Sequence, residues 1–558
     1  MRDRLARALV AMLALVALAG CATIPSSGSV HAFRPEAQSG PPDLDFLAAG
    51  PQPGAEQEEI LRGFIDAASD PRNDFAVARE FLTPEFDDEW SATAGATIDE
   101  VGAREFEQAG ADEWRVVATP AASLRADGQY ELPDSDAAIP LDYAFAEVDG
   151  EWRIAGAPPG ILIDSGTFAR VFRAQTLYFF DPSFDFLVPD VRWFTGRDSL
   201  QTSIVRALLA GPAEWLAPGV VSAFPEGARL RTDSVPVVAG RAEVDVDAPV
   251  EDQRTVQLMQ LQLEESLRSV RSIDVVDFAL DGVEQDPAEL ANPPVANPPV
   301  DVRAVGFDGT TFGRLVSGSE GIVPIEGLSE QVAALAPIGA ALGPDQDDAA
   351  VLTADGVWLV RVGEDAVQVD PRQGLVTPAL DVRDVVWSVP AAEPDQLVAF
   401  GPGGAVVQLP VPWAGSRIAA LEVSRDGSRI VALLVEGART RFVAAAIERD
   451  AEGMPVALGS SVLLLAEGAG TPLDAAWLDD RTVASLTSSG EETRLVTQVI
   501  GGLDASTAGP TGAIQVDGAN SANDVRILTA TGDVTRRSGV GWQVQAGGIR
   551  FLSTQQPG

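Results

Sequence analysis

The chain has 558 residues, 46% hydrophobic and 22% charged, a globular composition with length for about three or four domains. Its 82 acidic residues face 39 basic ones, all arginine, for a formal charge of −43. Such a surface argues against nucleic-acid binding, which draws affinity from cations that displace counterions on phosphates. With a single cysteine, Cys21, and a single histidine, His31, the chain alone cannot assemble a disulfide, a Ser-His-Asp or Cys-His site, or a multi-histidine metal site. No catalytic residues, cofactor or metal are expected.

Arg2, Arg4 and Arg7 precede an apolar run from Ala8 to Leu18 and the small residues Ala19 and Gly20, the order of a secretory signal peptide. The run is well short of the ~20 residues that span a bilayer. Its ending, Leu18-Ala19-Gly20-Cys21, resembles the lipobox of bacterial lipoproteins. That resemblance implies removal of residues 1–20 by cleavage between Gly20 and Cys21, with diacylglyceryl and N-acyl groups carried by Cys21. Two or more acyl chains anchor a protein stably, so the expected location is the outer face of the cytoplasmic membrane. No later stretch is long and apolar enough to cross it.

Residues 21–54 are rich in Ser, Gly and Pro without sustained periodicity and read as a flexible tether. Residues 55–186 form the first expected domain. Ile60, Leu61, Phe64, Ile65 and Ala68 recur at helical spacing and stop at Asp70-Pro71, and a second short helix is expected over Phe75–Phe81. After Trp114 the period becomes two, with turns at Ala126-Asp127-Gly128-Gln129 and Val148-Asp149-Gly150-Glu151. Helices followed by an antiparallel sheet make an α+β domain. The strand Glu151-Trp152-Arg153-Ile154 followed by Pro158-Pro159 resembles the last strands of NTF2-like cone folds.

Residues 187–283 form the second domain. Leu200, Ile204, Leu208 and Leu209 make a helical stripe stopped by Gly211-Pro212; strands are expected over Val220–Phe224, Arg229–Val235 and Arg241–Asp247. In the last of these Val244 and Val246 point inward while Glu243, Asp245 and Asp247 point out. A helix carries Val256, Met259, Leu263 and Leu267 on one face, and a strand is expected over Ile273–Leu280. This order, with its Leu208-Leu209-Ala210-Gly211-Pro212 stop, resembles the GerMN domain, a small α/β module.

A duplicated Ala-Asn-Pro-Pro-Val at 291–295 and 296–300 marks residues 284–300 as a proline-rich linker, stiff and extended. Residues 301–558 show short strands and Asp-Gly, Gly-Gly and Ser-Gly turns with no long helix. Trp387, Val423 and Trp477 fall at spacings of 36 and 54 residues, near the ~40–50 of a propeller blade. An all-β C-terminal β-propeller of five or six blades is expected, with Trp387 and Trp477 as packing residues at matching blade positions.

Among 82 acidic residues paired carboxylates arise by chance. Asp87-Asp88-Glu89 reads as a solvated helix end and Glu264-Glu265 as an exposed helix face. The Asp245-Val246-Asp247 start of a calcium loop fails at Pro249 and Val250, and Gly401-Pro402-Gly403-Gly404 reads as a hairpin.

Lipobox, NTF2-like domain, GerMN module and propeller in this order resemble the LpqB family of actinobacterial lipoproteins. The resemblance implies a non-catalytic accessory of the Mtr two-component system, with the extracytoplasmic domain of its membrane sensor kinase as partner and an effect on cell-wall and division control. A receptor for a cell-wall glycan or peptide ligand is the alternative, and exposed aromatics clustered in a pocket would favour it.

Overall fold

A computed structural model of the chain describes residues 48–557, apart from 101, 103, 197–199, 251, 317–320, 414 and 540. Cys21, the Gly20–Cys21 bond and His31 lie outside the described residues. Among the described residues no helix is long and apolar enough to cross a membrane. The last part of the expected tether packs against the first domain: Ala48 lies on its core, and the Gly54 N–H donates to a Glu151 carboxylate oxygen at 2.7 Å.

The N-terminal domain is α+β. Helix Gln57–Ala67 buries Ile60, Leu61, Phe64 and Ile65 on one face, each contributing about 1.5–3 kcal/mol for full burial. Phe64 meets Trp90 edge-on at 5.2 Å. The helix lies against two four-stranded sheets. One is built from Glu105–Gln108, Glu113–Ala118, Ile139–Val148 and Glu151–Gly156, the other from Tyr130–Glu131, Pro120–Arg125, Gly95–Asp99 and Ile161–Asp164. The short second helix spans Ala76–Arg79.

A long antiparallel hairpin, Phe172–Phe180 with Phe186–Thr195, straddles the expected division at 186/187. Beyond it lies the α/β module. Arg241–Asp247 and Val275–Leu280 pair in parallel and are joined by helix Gln253–Leu267, the crossover that parallel neighbours require. Helices Leu200–Ala210 and Gln253–Leu267 bury one side of the sheet, with Ile204, Leu208, Met259 and Leu263 in the core beside Ala242, Val244 and Val246. Two expected strands shrink. Val220–Phe224 makes a single bridge, Val221 with Phe180. The strand expected over Arg229–Val235 is confined to Arg229–Leu230, because Val235 is drawn to the first helix, its N–H donating to Thr202 Oγ1 at 2.9 Å and its carbonyl accepting from Gln201 Nε2 at 3.0 Å.

The C-terminal half is a six-bladed propeller of antiparallel units, four-stranded except for the fourth, which carries a fifth strand. The second to sixth blades begin with Gly339–Leu342, Ala379–Leu380, Arg417–Val423, Thr471–Trp477 and Ala513–Asp517. The first blade is completed from the other end of the domain: Phe551–Gln555 pairs with Val305–Phe307 and also with Gly339–Leu342, which closes the ring. Trp387 sits on the second strand of its blade and Trp477 on the first strand of its own. The spacing between them is therefore not a repeat, although both rings are buried packing residues as expected. Ala349-to-Gly356 and Val525-to-Gly532 do occupy equivalent places, running from the second strand into the following turn of the second and sixth blades.

The linker is not a free spacer. Val295–Ala296 pairs in parallel with Phe186–Leu187, Asn297 Oδ1 accepts from the Asp480 N–H at 3.2 Å, and Val300 exchanges two hydrogen bonds with the Asn520 side chain. One apolar cluster runs from the α/β module (Trp215, Leu216, Val244, Leu263) into the fourth and fifth blades (Val431, Phe442, Leu465, Val483). Trp193 packs in the N-terminal core and donates its indole N–H to the Gly501 carbonyl of the propeller at 2.9 Å. Arg383 is held by Asp181 and Asp185, each at 3.0 Å.

Candidate functional site

Three places could bind or transform something. The first is the interior of the N-terminal cone. Its cavity, lined by Phe64, Ile65, Leu141, Tyr143, Pro158 and Leu162, holds about 20 Å³, against the ~300 Å³ or more of ordinary ligand pockets. Side chains fill the cone; Tyr143 is so fully desolvated that its phenol is driven well above the usual tyrosine range.

The second is the hub of the propeller, where the first strands of neighbouring blades touch. Glu422, Asp474 and Asp517 come from three successive hub strands. Burial pushes Glu422 well above the usual carboxylate range, with Asp474 and Asp517 adding like charge. Burial likewise raises Asp474 to about 7 against the hydrogen bond that its Oδ2 accepts from the Val516 N–H at 2.9 Å. Asp517 is also raised by burial, held back by the Arg526 guanidinium at 3.0 Å. Burial lowers Arg425, whose guanidinium donates to the Ala519 carbonyl. These contacts tie blade to blade. The Gln515 side chain does the same, donating to the Leu552 carbonyl and accepting from the Leu552 N–H. No periodic signal in the sequence marks these residues, because hub contacts are set by ring closure rather than by local spacing.

The third is the open side of the α/β sheet, opposite its two helices. A cleft of about 400 Å³ runs over the parallel strand pair, floored by Glu243, Asp245, Asp277 and Ala279 and walled by Thr232, Pro236 and Glu284. Glu243 and Asp245 were legible as outward-facing from the alternation in their strand; Asp277 and Glu284 join them only through the register. Asp277 lies directly beside Glu243, and Ala279 stands between Asp245 and Glu284. Arg241 pairs with Asp277 through Nε at 2.7 Å. Arg231 reaches Asp247 at 3.0 Å and Asp245 at 3.8 Å. The lining offers carboxylates and small residues, with no exposed aromatic ring, since Phe278 is 1% exposed.

The other carboxylate groups singled out above stay apart from this cleft. Asp87, Asp88 and Glu89 end helix Pro84–Glu89, Glu264 and Glu265 lie on helix Gln253–Leu267, and Gly401–Gly404 connects Val398–Phe400 to Val406–Gln408. Among the described residues no group of three or more His, Cys, Asp or Glu side chains is arranged to hold a metal ion.

Comparison with known proteins agrees with this architecture. The family model described as lipoprotein LpqB, N-terminal domain, matches residues 50–169. One described as sporulation and spore germination (Germane) matches 176–286, and the lipoprotein LpqB β-propeller domain matches 313–551. A lipoprotein LpqB of Thermobifida fusca is 33% identical over 50% of this chain and 47% of its own length. One from Mycobacterium bovis is 27% identical over 69% of this chain and 70% of its own. The chain thus spans about half the length of the first of these relatives. Among solved structures, a streptogramin B lyase matches 45% of this chain and 86% of its own at 9% identity with a TM-score of 0.30, too slight a likeness to inform on this molecule. With an N-terminal domain, a Germane domain and a propeller matched in that order, and curated relatives of the same name, the chain belongs to the LpqB lipoprotein family.

Proposed function

We propose that this lipoprotein is anchored through acylated Cys21 on the outer face of the cytoplasmic membrane and acts there as a non-catalytic accessory of an Mtr-type sensor kinase, binding its extracytoplasmic domain. The observation that carries the reading is the joining of the domains into one platform: a shared core links the α/β module to the propeller, and the 284–300 strap is hydrogen-bonded along its length. A rigid multidomain surface loses little entropy on docking. Tethering it in the partner's own membrane raises the effective concentration for that partner. The strongly negative charge would steer encounter with a basic surface, with a rate that falls as salt rises. The cleft favours a protein partner over a glycan, since sugar recognition draws on exposed aromatic faces and this lining has none.

The test is a binding isotherm of the full-length chain in detergent with the purified extracytoplasmic domain of the Mtr-type sensor kinase, at low and physiological salt. Saturable binding that weakens with salt is the expected outcome. No binding at tens of micromolar would remove the direct-partner reading.

A further inference from the structure

On the open side of the α/β sheet, acidic side chains stand next to one another across hydrogen-bonded strands. Glu243 and Asp277 are register partners, and Asp245 and Glu284 flank Ala279 on a single cross-strand row. Like charges directly opposite each other weaken a sheet, so this arrangement lowers the stability of the free fold. The arginines of the face answer only part of it. Arg241 is committed to Asp277, and Arg231 and Arg229 converge on Asp247 at 3.0 and 3.2 Å. Among the described residues Glu243 and Glu284 make no ion pair, and both are exposed.

Shape agrees with charge. The strand pair is the floor of a trough of about 400 Å³ whose walls are the Thr232 and Pro236 loop on one side and Glu284 on the other. Ala279 keeps its centre low. Val275, 42% exposed, stands two residues before Asp277 on the same face of its strand, where it can meet the stem of a long side chain. A trough with carboxylates on both sides of a small floor residue, and Val275 on the same face, fits an arginine or lysine whose aliphatic stem lies on the apolar part while its charged head sits between the acids.

We propose that this sheet face is the docking surface for an extended basic segment of a protein partner, with Glu243 and Glu284 supplying the carboxylates that its arginine or lysine heads engage. The proposal rests on the reading of the chain as a protein-binding accessory and names the surface that reading would use. Engagement would relieve the cross-strand repulsion, so binding and stabilisation of the module are coupled.

The experiment uses the full-length chain in non-ionic detergent and fluorescein-labelled hexa-arginine as probe. The variants are Glu243→Gln/Glu284→Gln and, as control, Asp88→Asn/Glu89→Gln on the exposed helix end of the N-terminal domain. Expected are saturable binding to the wild type, a Kd about five- to tenfold weaker in the cleft variant, and no change in the control. The cleft variant should melt no lower than wild type, since it removes like charges without removing a pair. Equal weakening in both variants would reduce the binding to general acidity and overturn the proposal, as would absence of binding or an unchanged cleft variant. Displacement of the peptide by millimolar calcium but not by equal ionic strength of sodium chloride would replace the basic segment by a divalent cation as occupant. The same isotherms with the sensor-kinase domain separate the two readings. Kinase binding that survives the cleft variant overturns the surface but not the partner, and peptide binding without kinase binding overturns the partner but not the surface.

Discussion

Arg449→Met should be among the most damaging single changes in the propeller. Asp381 is 0% exposed and its carboxylate is met by the Arg449 guanidinium at 2.6 Å, a link from the loop of the third blade to a strand of the fourth. Removing one partner of a buried ion pair costs about 3–5 kcal/mol because the other charge stays buried. Here Asp381 keeps three donors, the N–H groups of Arg383 (2.8 Å) and Val385 (3.1 Å) and the Trp387 indole (2.9 Å), which places the carboxylate's own loss near the lower limit. The substitution also strips the Gly427 and Gly453 carbonyls of donors at 2.9 and 2.8 Å, each worth about 1 kcal/mol. A total of about 5 kcal/mol is expected. Urea unfolding followed by tryptophan fluorescence should show the midpoint fall with little change in slope. Adding Asp381→Asn to the variant should recover part of the loss, a coupling of about 1–3 kcal/mol in the double-mutant cycle. A loss below 1 kcal/mol, or strict additivity, would refute the cross-blade clamp.

Burial, with Asp384 and Asp347 adding like charge, raises Asp348 to about 7, and burial raises Asp474 to about 7. The folded state therefore holds these protons where the unfolded chain has lost them, and stability should fall as pH rises from about 4 to 7, by up to about 1.4 kcal/mol per pH unit for each group. Asp301, lowered to about 2 chiefly by its hydrogen bonds with Arg303, does not titrate in that window. Melting temperature measured across the window should decline in the wild type and less steeply in Asp348→Asn, which keeps the Asp474 contribution; an equal decline in both would reject Asp348 as a source of it. Gly219 lies where an added Cβ would come within 2.7 Å of the Ser428 carbonyl oxygen and 3.0 Å of that of Ile447. Gly219→Ala should thus wedge the α/β module from the fourth blade at a cost of about 1–3 kcal/mol, read as faster proteolytic nicking within 284–300. Trp193→Phe should cost about 1–2 kcal/mol by leaving the buried Gly501 carbonyl without its donor, with an unchanged unfolding midpoint counting against that contact. Cys21→Ala should abolish acyl labelling and release the chain from membranes, and persistent labelling would refute the anchor.

Local chemistry made much of this protein readable from its residues. Apolar spacing located helices Gln57–Ala67, Leu200–Ala210 and Gln253–Leu267, because a helix must bury one stripe. Alternation located Arg241–Asp247 and its outward acids, because side chains on a strand change face at every residue. Asp-Gly turns and short strands identified a propeller, but Trp387 and Trp477 suggested a repeat that the blades do not keep. The ring constrains packing volumes at each place, not residue identity. The joining of 187–283 to its neighbours was invisible in the sequence. The hairpin Phe172–Phe180/Phe186–Thr195 pairs with the 284–300 strap, and the strap bonds to partners as distant as Asp480, whose N–H donates to Asn297, and Asn520, which accepts from the Val300 N–H.

The sequence by itself determined the three domain classes and the negative charge, since each depends on composition or on neighbours within a turn or two. Only the tertiary structure decided that there are six blades closed by the C-terminal strand and that the N-terminal cone is filled. It alone decided, too, that Asp277 and Glu284 stand beside Glu243 and Asp245 over one trough. Those outcomes depend on the register of parallel strands, on ring closure and on the fit of whole faces, where a shift of one residue would turn every side chain to the other side.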